Sequence, residues 1–186
     1  MALLLAVATL VAWPLPRELL VWNGPGAVFE PWRWWTAATV HWSGLHLAAN
    51  LVGCVVVGAF GLAARVPDRA CWAWFAAWPL THLALAVRPE LVSYGGLSGV
   101  LHAGVAIVAF HLARREQGQR RAIGWAVLVG LTLKVMLERP WGPVLVASPD
   151  WGFLVAPWAH GAGALVGLAG AALIDTLAPP PRTAPA

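Results

Sequence analysis

Six apolar stretches separated by short polar connections leave this 186-residue chain few folds to choose from. A bilayer offers no water to a backbone N–H or C=O, so each stretch must satisfy its own backbone, and a helix does so within one segment. The stretches run from Ala2 to Trp13, Leu45 to Ala64, Ala70 to Val87, Leu97 to Ala113, Ala122 to Leu137 and Trp158 to Leu177. At about 20 residues per span they consume nearly the whole length and leave no separate soluble domain. Composition agrees, with 60% of residues hydrophobic and 11% charged, against about 45–50% and about 25% in soluble domains. The 13 Trp supply interfacial anchors and the 19 Gly let helices touch. The expected fold is an all-α membrane protein, a six-transmembrane-helix bundle over residues 1–177, with a Pro-rich tail at 178–186 that reads as disordered.

The first stretch is stopped by Pro14 and Pro16 and would cover only about 18 Å of a roughly 30 Å hydrocarbon core. It has neither the basic leading region nor the small-residue cleavage site of a signal peptide, and is read as a span. Charge sets the orientation. Arg65, Arg69, Arg114, Arg115, Arg120, Arg121 and Arg182 fall on one side, and Arg17, Arg33, Arg88 and Arg139 on the other. The excess places both chain ends in the cytoplasm, so spans two, four and six all descend from the outer face. The net charge of +4 comes from arginines scattered through loops, with no basic stripe of the kind that binds nucleic acid. Cys54 and Cys71 match no metal or redox spacing and are read as packing residues.

Polar side chains within spans are costly, so they mark function by default. Span two has His46 and Asn50, span four has Ser98 and His102, and span six has His160. His46, Ser98 and His160 each fall within the first three residues of a span running in the same direction, which puts them at one depth near the outer face. A serine hydroxyl becomes a useful nucleophile when a neighbouring imidazole takes its proton. Ser98 and His160 supply that pair. Ser98 also begins a helix, where open N–H groups and the helix dipole favour negative charge. His46 and Asn50, four residues apart on one helical face, can donate to the oxyanion of a tetrahedral intermediate. Gly96 and Gly99 beside Ser98, and Gly161, Gly163 and Gly167 after His160, allow the close helix approach that such a pair needs.

At these residues the chain resembles the rhomboid intramembrane serine proteases, over Glu30 to Asp175. Four blocks match in order: Glu30-Pro-Trp32-Arg33 in the first outer loop, His41-x4-His46-x3-Asn50, Gly96-Leu-Ser98-Gly99, and Ala159-His160-x2-Gly163-x3-Gly167. The resemblance implies a rhomboid-like bundle with Ser98 as nucleophile, His160 as general base and then acid, and His46, Asn50 and the Ser98 N–H at the oxyanion. Many rhomboids carry Tyr four residues after the serine, where this chain has His102. That residue can stack on His160, hydrogen-bond to it, or do neither. The run Gly95-Gly-Leu-Ser-Gly-Val-Leu-His102 and the small six-span size resemble the rhombosortase branch, associated with bacterial proteins that end in a Gly-Gly motif, a span and a basic end. The resemblance thus implies a multi-pass protein of the bacterial inner membrane, its site opening to the periplasm, with membrane-anchored, Gly-Gly-tailed proteins as substrates. Alternatives are a general rhomboid protease acting on other single-span proteins and an inactive relative that only holds membrane clients.

The remaining polar residues have plainer readings. Trp32, Arg33 and His41 brace the first loop, and His82 and His111 are structural. Lys134 and Glu138 form an intrahelical ion pair at i, i+4. No acidic residue falls where it would complete a triad, so the catalytic unit is read as a dyad. No cofactor is implied, and a metal or proton carrier built on the six His finds no carboxylate in a span to assist it.

Overall fold

The computed structural model describes residues 1–149 and 151–177, so the tail at 178–186 lies outside the described residues. All six apolar stretches are helical. Helix α1 (Ala2–Ala12) leads into a long first loop, where 3-10 turns at Arg17–Leu19, Gly24–Val28 and Ala37–Thr39 accompany a one-turn helix α2 (Arg33–Thr36). Helix α3 (Gly44–Ala64) starts at Ser43, whose Oγ accepts the His46 N–H at 3.1 Å and satisfies one of the open donors of the first turn. It stops at Arg65, whose φ of 52° reverses the chain and returns its N–H to the Leu62 carbonyl at 3.0 Å. Helix α4 (Asp68–Leu83) runs through Pro79 into a 3-10 turn, Ala84–Val87. Helices α5 (Ser98–Arg115) and α6 (Gly118–Leu137) follow. A small antiparallel hairpin, β1 (Val146–Ser148) paired with β2 (Phe153–Val155), leads into α7 (Pro157–Thr176).

The hairpin departs from a purely helical expectation. Among the described residues, α3, Asp68–Val87 and α7 are long and apolar enough to cross a membrane, while α1 is a shorter apolar helix. Arg114 and Arg115 dilute α5, and Arg120, Arg121 and Lys134 dilute α6. The outward residues of α3, including Leu45, Val52, Val55 and Leu62, are exposed although apolar. A helix that is apolar outside as well as inside needs a lipid solvent. The chain is an integral membrane protein.

Helix α5 is the hub, buried from Gly99 to Ala113 on several faces and packed by α3, α4, α6 and α7. Its seam with α7 is backbone against backbone. A Cβ on Gly163 would lie 1.9 Å from the Gly99 carbonyl oxygen, and one on Gly167 would lie 2.5 Å from that of Ala103. Only hydrogen fits there, as the small-residue spacing of α7 predicted.

The two ends of the bundle are held differently. At the end away from Ser98, Arg115 bonds Asp175 of α7, and Arg120 reaches the last carbonyls of α3, Ala63 at 3.3 Å and Ala64 at 2.9 Å. At the Ser98 end a second small core forms from Trp22, Ala37, Leu85, Leu91 and Tyr94. Trp22 and Tyr94 exchange backbone hydrogen bonds at 2.9 and 3.1 Å, which ties the first loop to the segment entering α5. Arg33, only 9% exposed, donates to Glu30 Oε2 at 2.7 Å and to the carbonyls of Glu18 at 2.9 Å and Val21 at 2.7 Å.

Candidate active site

Ser98 is the first residue of α5 and His160 sits in the first turn of α7, so the glycine seam brings both to one level. Ser98 Oγ lies 2.8 Å from His160 Nε2. The other ring nitrogen, Nδ1, lies 2.8 Å from Glu138 Oε2 at the end of α6. A carboxylate only accepts, so this contact favours the tautomer with its proton on Nδ1 and the Nε2 lone pair facing the serine hydroxyl. No acid was expected beside His160, and the structure brings Glu138 within reach of its Nδ1. Glu138 keeps its ion pair with Lys134 at 2.9 Å, yet its second oxygen reaches across to α7. Periodicity along α6 gave the pair but not its side of the bundle.

His102, one turn into α5, settles between its open alternatives. Its ring stacks on that of His160, with centroids 4.4 Å apart and planes 12° apart. Nδ1–H donates to the Ser98 carbonyl at 2.6 Å, and Nε2 accepts from Lys134 Nζ at 2.6 Å.

On the other flank His46 and Asn50 line the same cavity of about 970 Å³ as Ser98 and His160. The Trp42 N–H points at His46 Nδ1 at 3.4 Å, which leaves Nε2–H as the donor facing the cavity. Asn50 donates from Nδ2 to the His46 carbonyl at 3.2 Å, using one of its two amide hydrogens. Gly96, at φ 153°, passes beside the His46 ring where a Cβ would come within 3.4 Å of Nε2. Phe153 of β2 stacks on the His46 ring at 4.5 Å, and the hairpin forms a wall of the cavity. The Ser98 N–H belongs to a first turn with no intrahelical acceptor.

Behind these groups stand the loop residues. His41 is buried, donates from Nδ1 to the Thr39 carbonyl at 3.1 Å and packs its ring 4.7 Å from that of His46. Burial pushes its pKa down to about 4. Arg33 braces the loop, and its hydrogen bond is the main cause that holds the Glu30 carboxyl below its ordinary value. Trp32 is 50% exposed, with the Arg33 guanidinium 6.0 Å from its ring. His82 is fully buried and donates to the Trp34 carbonyl at 2.7 Å, a structural bond. Cys54 is buried, whereas Cys71 is exposed and not packed as expected.

Tyr94 escaped the sequence reading. It is the chain's single tyrosine, 7% exposed, and its hydroxyl donates to the Gly96 carbonyl at 3.1 Å beside Ser98. Burial raises its pKa to about 12, so it stays protonated. Its position in a loop left no periodic signal. Among the described residues no group of three His, Cys, Asp or Glu is arranged to hold a metal ion.

Chemically, the arrangement offers a hydroxyl with a base in contact, a cradle of N–H donors and a cavity large enough for several peptide residues. Comparison with protein families finds that the model described as Rhomboid domain matches residues 28–175. Comparison with curated proteins finds no match.

Proposed function

We propose, from the premise that this chain belongs to the rhomboid family, that it is an active intramembrane serine protease using Ser98 and His160 as a catalytic dyad. Members of the family are generally intramembrane serine proteases. The observation that carries the reading is the 2.8 Å contact of Ser98 Oγ with His160 Nε2. The serine proton passes to Nε2 as Oγ attacks the scissile carbonyl. The carbonyl oxygen, now negative, takes hydrogen bonds from His46 Nε2–H, Asn50 Nδ2 and the Ser98 N–H. The imidazolium then gives its proton to the leaving amine, and water repeats the cycle on the acyl-enzyme.

The bundle would cross the bilayer six times, with both ends in the cytoplasm of a bacterium and the cavity opening to the periplasm. The arginine bias supports that orientation, and Ser98, His46 and His160 gathered at the opposite end accord with it. For the substrate we favour exported proteins with a Gly-Gly, span and basic-end tail, on the strength of His102 and the surrounding Gly95 to His102 run. A serine-directed fluorophosphonate should label wild type and spare Ser98→Ala and His160→Ala; equal labelling of all three would remove the assignment. Co-expression with a tailed reporter should give a shortened, released product with wild type only. An intact tailed reporter alongside cleavage of an unrelated single-span protein would retain the protease and discard the rhombosortase substrate.

A further inference from the structure

We infer that Glu138 is a positioning residue that sets the tautomer of His160, and that it is required because Lys134 stands beside the same nitrogen. The inference rests on the proposed roles of Ser98 and His160. Two groups approach His160 Nδ1, Glu138 Oε2 at 2.8 Å and Lys134 Nζ at 3.1 Å, and they demand opposite tautomers. A carboxylate can only accept, so it keeps the proton on Nδ1 and leaves Nε2 as the base for Ser98. An ammonium can only donate, so it would take Nδ1 as its acceptor, move the ring proton to Nε2 and deprive Ser98 of its base.

The carboxylate lies nearer to Nδ1, at 2.8 Å against 3.1 Å, and two of the three N–H bonds of Lys134 have other acceptors. Its Nζ donates to Glu138 Oε1 at 2.9 Å and to His102 Nε2 at 2.6 Å. Glu138 thus uses one oxygen to orient the imidazole and the other to hold the competing ammonium. His102 closes the ring, bonding the Ser98 carbonyl and lying flat on His160. The turn after Glu138 is fixed from α4's extension, where Arg88 donates to the carbonyls of Pro140 at 3.0 Å and Gly142 at 2.9 Å. A pair that served only helix stability would not need its carboxylate aimed at another helix.

The decisive experiment compares reporter cleavage by wild type, Glu138→Ala, Lys134→Met and the double variant, in detergent or proteoliposomes. Glu138→Ala should lower kcat about 10²- to 10⁴-fold with KM little changed, as expected for an imidazole held in the wrong tautomer. Removing the ammonium as well should restore activity about tenfold or more over Glu138→Ala, a rescue that a merely structural role does not predict. Glu138→Ala within about threefold of wild type, or a double variant no faster than Glu138→Ala, would overturn the inference. Nitrogen-15 NMR of wild-type His160 decides the matter even where a variant does not fold: protonated Nδ1 with bare Nε2 supports it, and the reverse overturns it. Wild type that neither labels at Ser98 nor cleaves would defeat the proposed function, whereas active wild type indifferent to Glu138→Ala defeats only this inference.

Discussion

Gly163→Ala should inactivate the protein by moving a helix, without touching any reacting group. The added methyl would sit 1.9 Å from the Gly99 carbonyl oxygen and 2.6 Å from its carbon, where ordinary contact begins near 3.4 Å. Backbone cannot rotate aside as a side chain can, so α7 must withdraw from α5 by about 1.5 Å. Gly163 lies one turn beyond His160, and Gly99 adjoins Ser98. The same withdrawal therefore stretches the 2.8 Å contact of Ser98 with His160 to about 4 Å, beyond hydrogen-bond range. A misplacement of this size costs on the order of 100-fold in turnover, and overpacking lowers stability by about 1–3 kcal/mol. The assay measures reporter cleavage and the rate of fluorophosphonate labelling at Ser98, beside thermal unfolding in detergent. Gly130→Ala is the control, because a Cβ there meets nothing within 4 Å and alanine favours helix by about 0.5–1 kcal/mol. If Gly163→Ala cleaves as fast as Gly130→Ala, the seam does not set the site's geometry.

Arg33→Ala should lower stability by about 1–3 kcal/mol, since the exposed Glu18 and half-buried Val21 lose the guanidinium that donates to both of their carbonyls. Arg33→Lys should recover little of this, because an ammonium cannot reproduce the fork; full recovery in a thermal melt would contradict the assignment. His41 has a folded pKa of about 4, below its unfolded value of about 6.5, so the unfolded chain binds its proton more tightly. Its contribution to stability is then whole above about pH 6.5 and is lost as pH falls toward 4. Stability measured across that window should slope less in His41→Gln than in wild type, and parallel curves would refute the point. Phe153→Ala removes the ring stacked on His46 and should slow cleavage about threefold to tenfold, the kinetic equivalent of about 0.5–1.5 kcal/mol; an unchanged rate would mean that the hairpin wall does not steady His46.

The meeting of Ser98 with His160 was legible because it needed only helix direction and residue counting, and the glycines of α7 announced how near the two backbones would come. Glu138 was visible as a partner of Lys134 but not of His160. Its reach depends on where the end of α6 lies sideways against α7, and α6, mostly exposed, has no strong apolar stripe to declare that side. The hairpin consists of two three-residue strands, too short for alternation to register. Tyr94 sits in a segment with no period at all. The three helices that satisfy a membrane-crossing criterion were the clearest in composition, whereas α5 and α6 hold their place through packing and polar ties that a hydropathy count penalises.

Arg120 shows that equal charges are not interchangeable. Its guanidinium spans two successive carbonyls at the close of α3 while also pairing with Glu116 of the loop before α6. Lysine at this position would carry the same charge, yet a single ammonium has no planar fork with which to grip both oxygens. A substitution here can thus preserve the charge while forfeiting the grip on the end of α3.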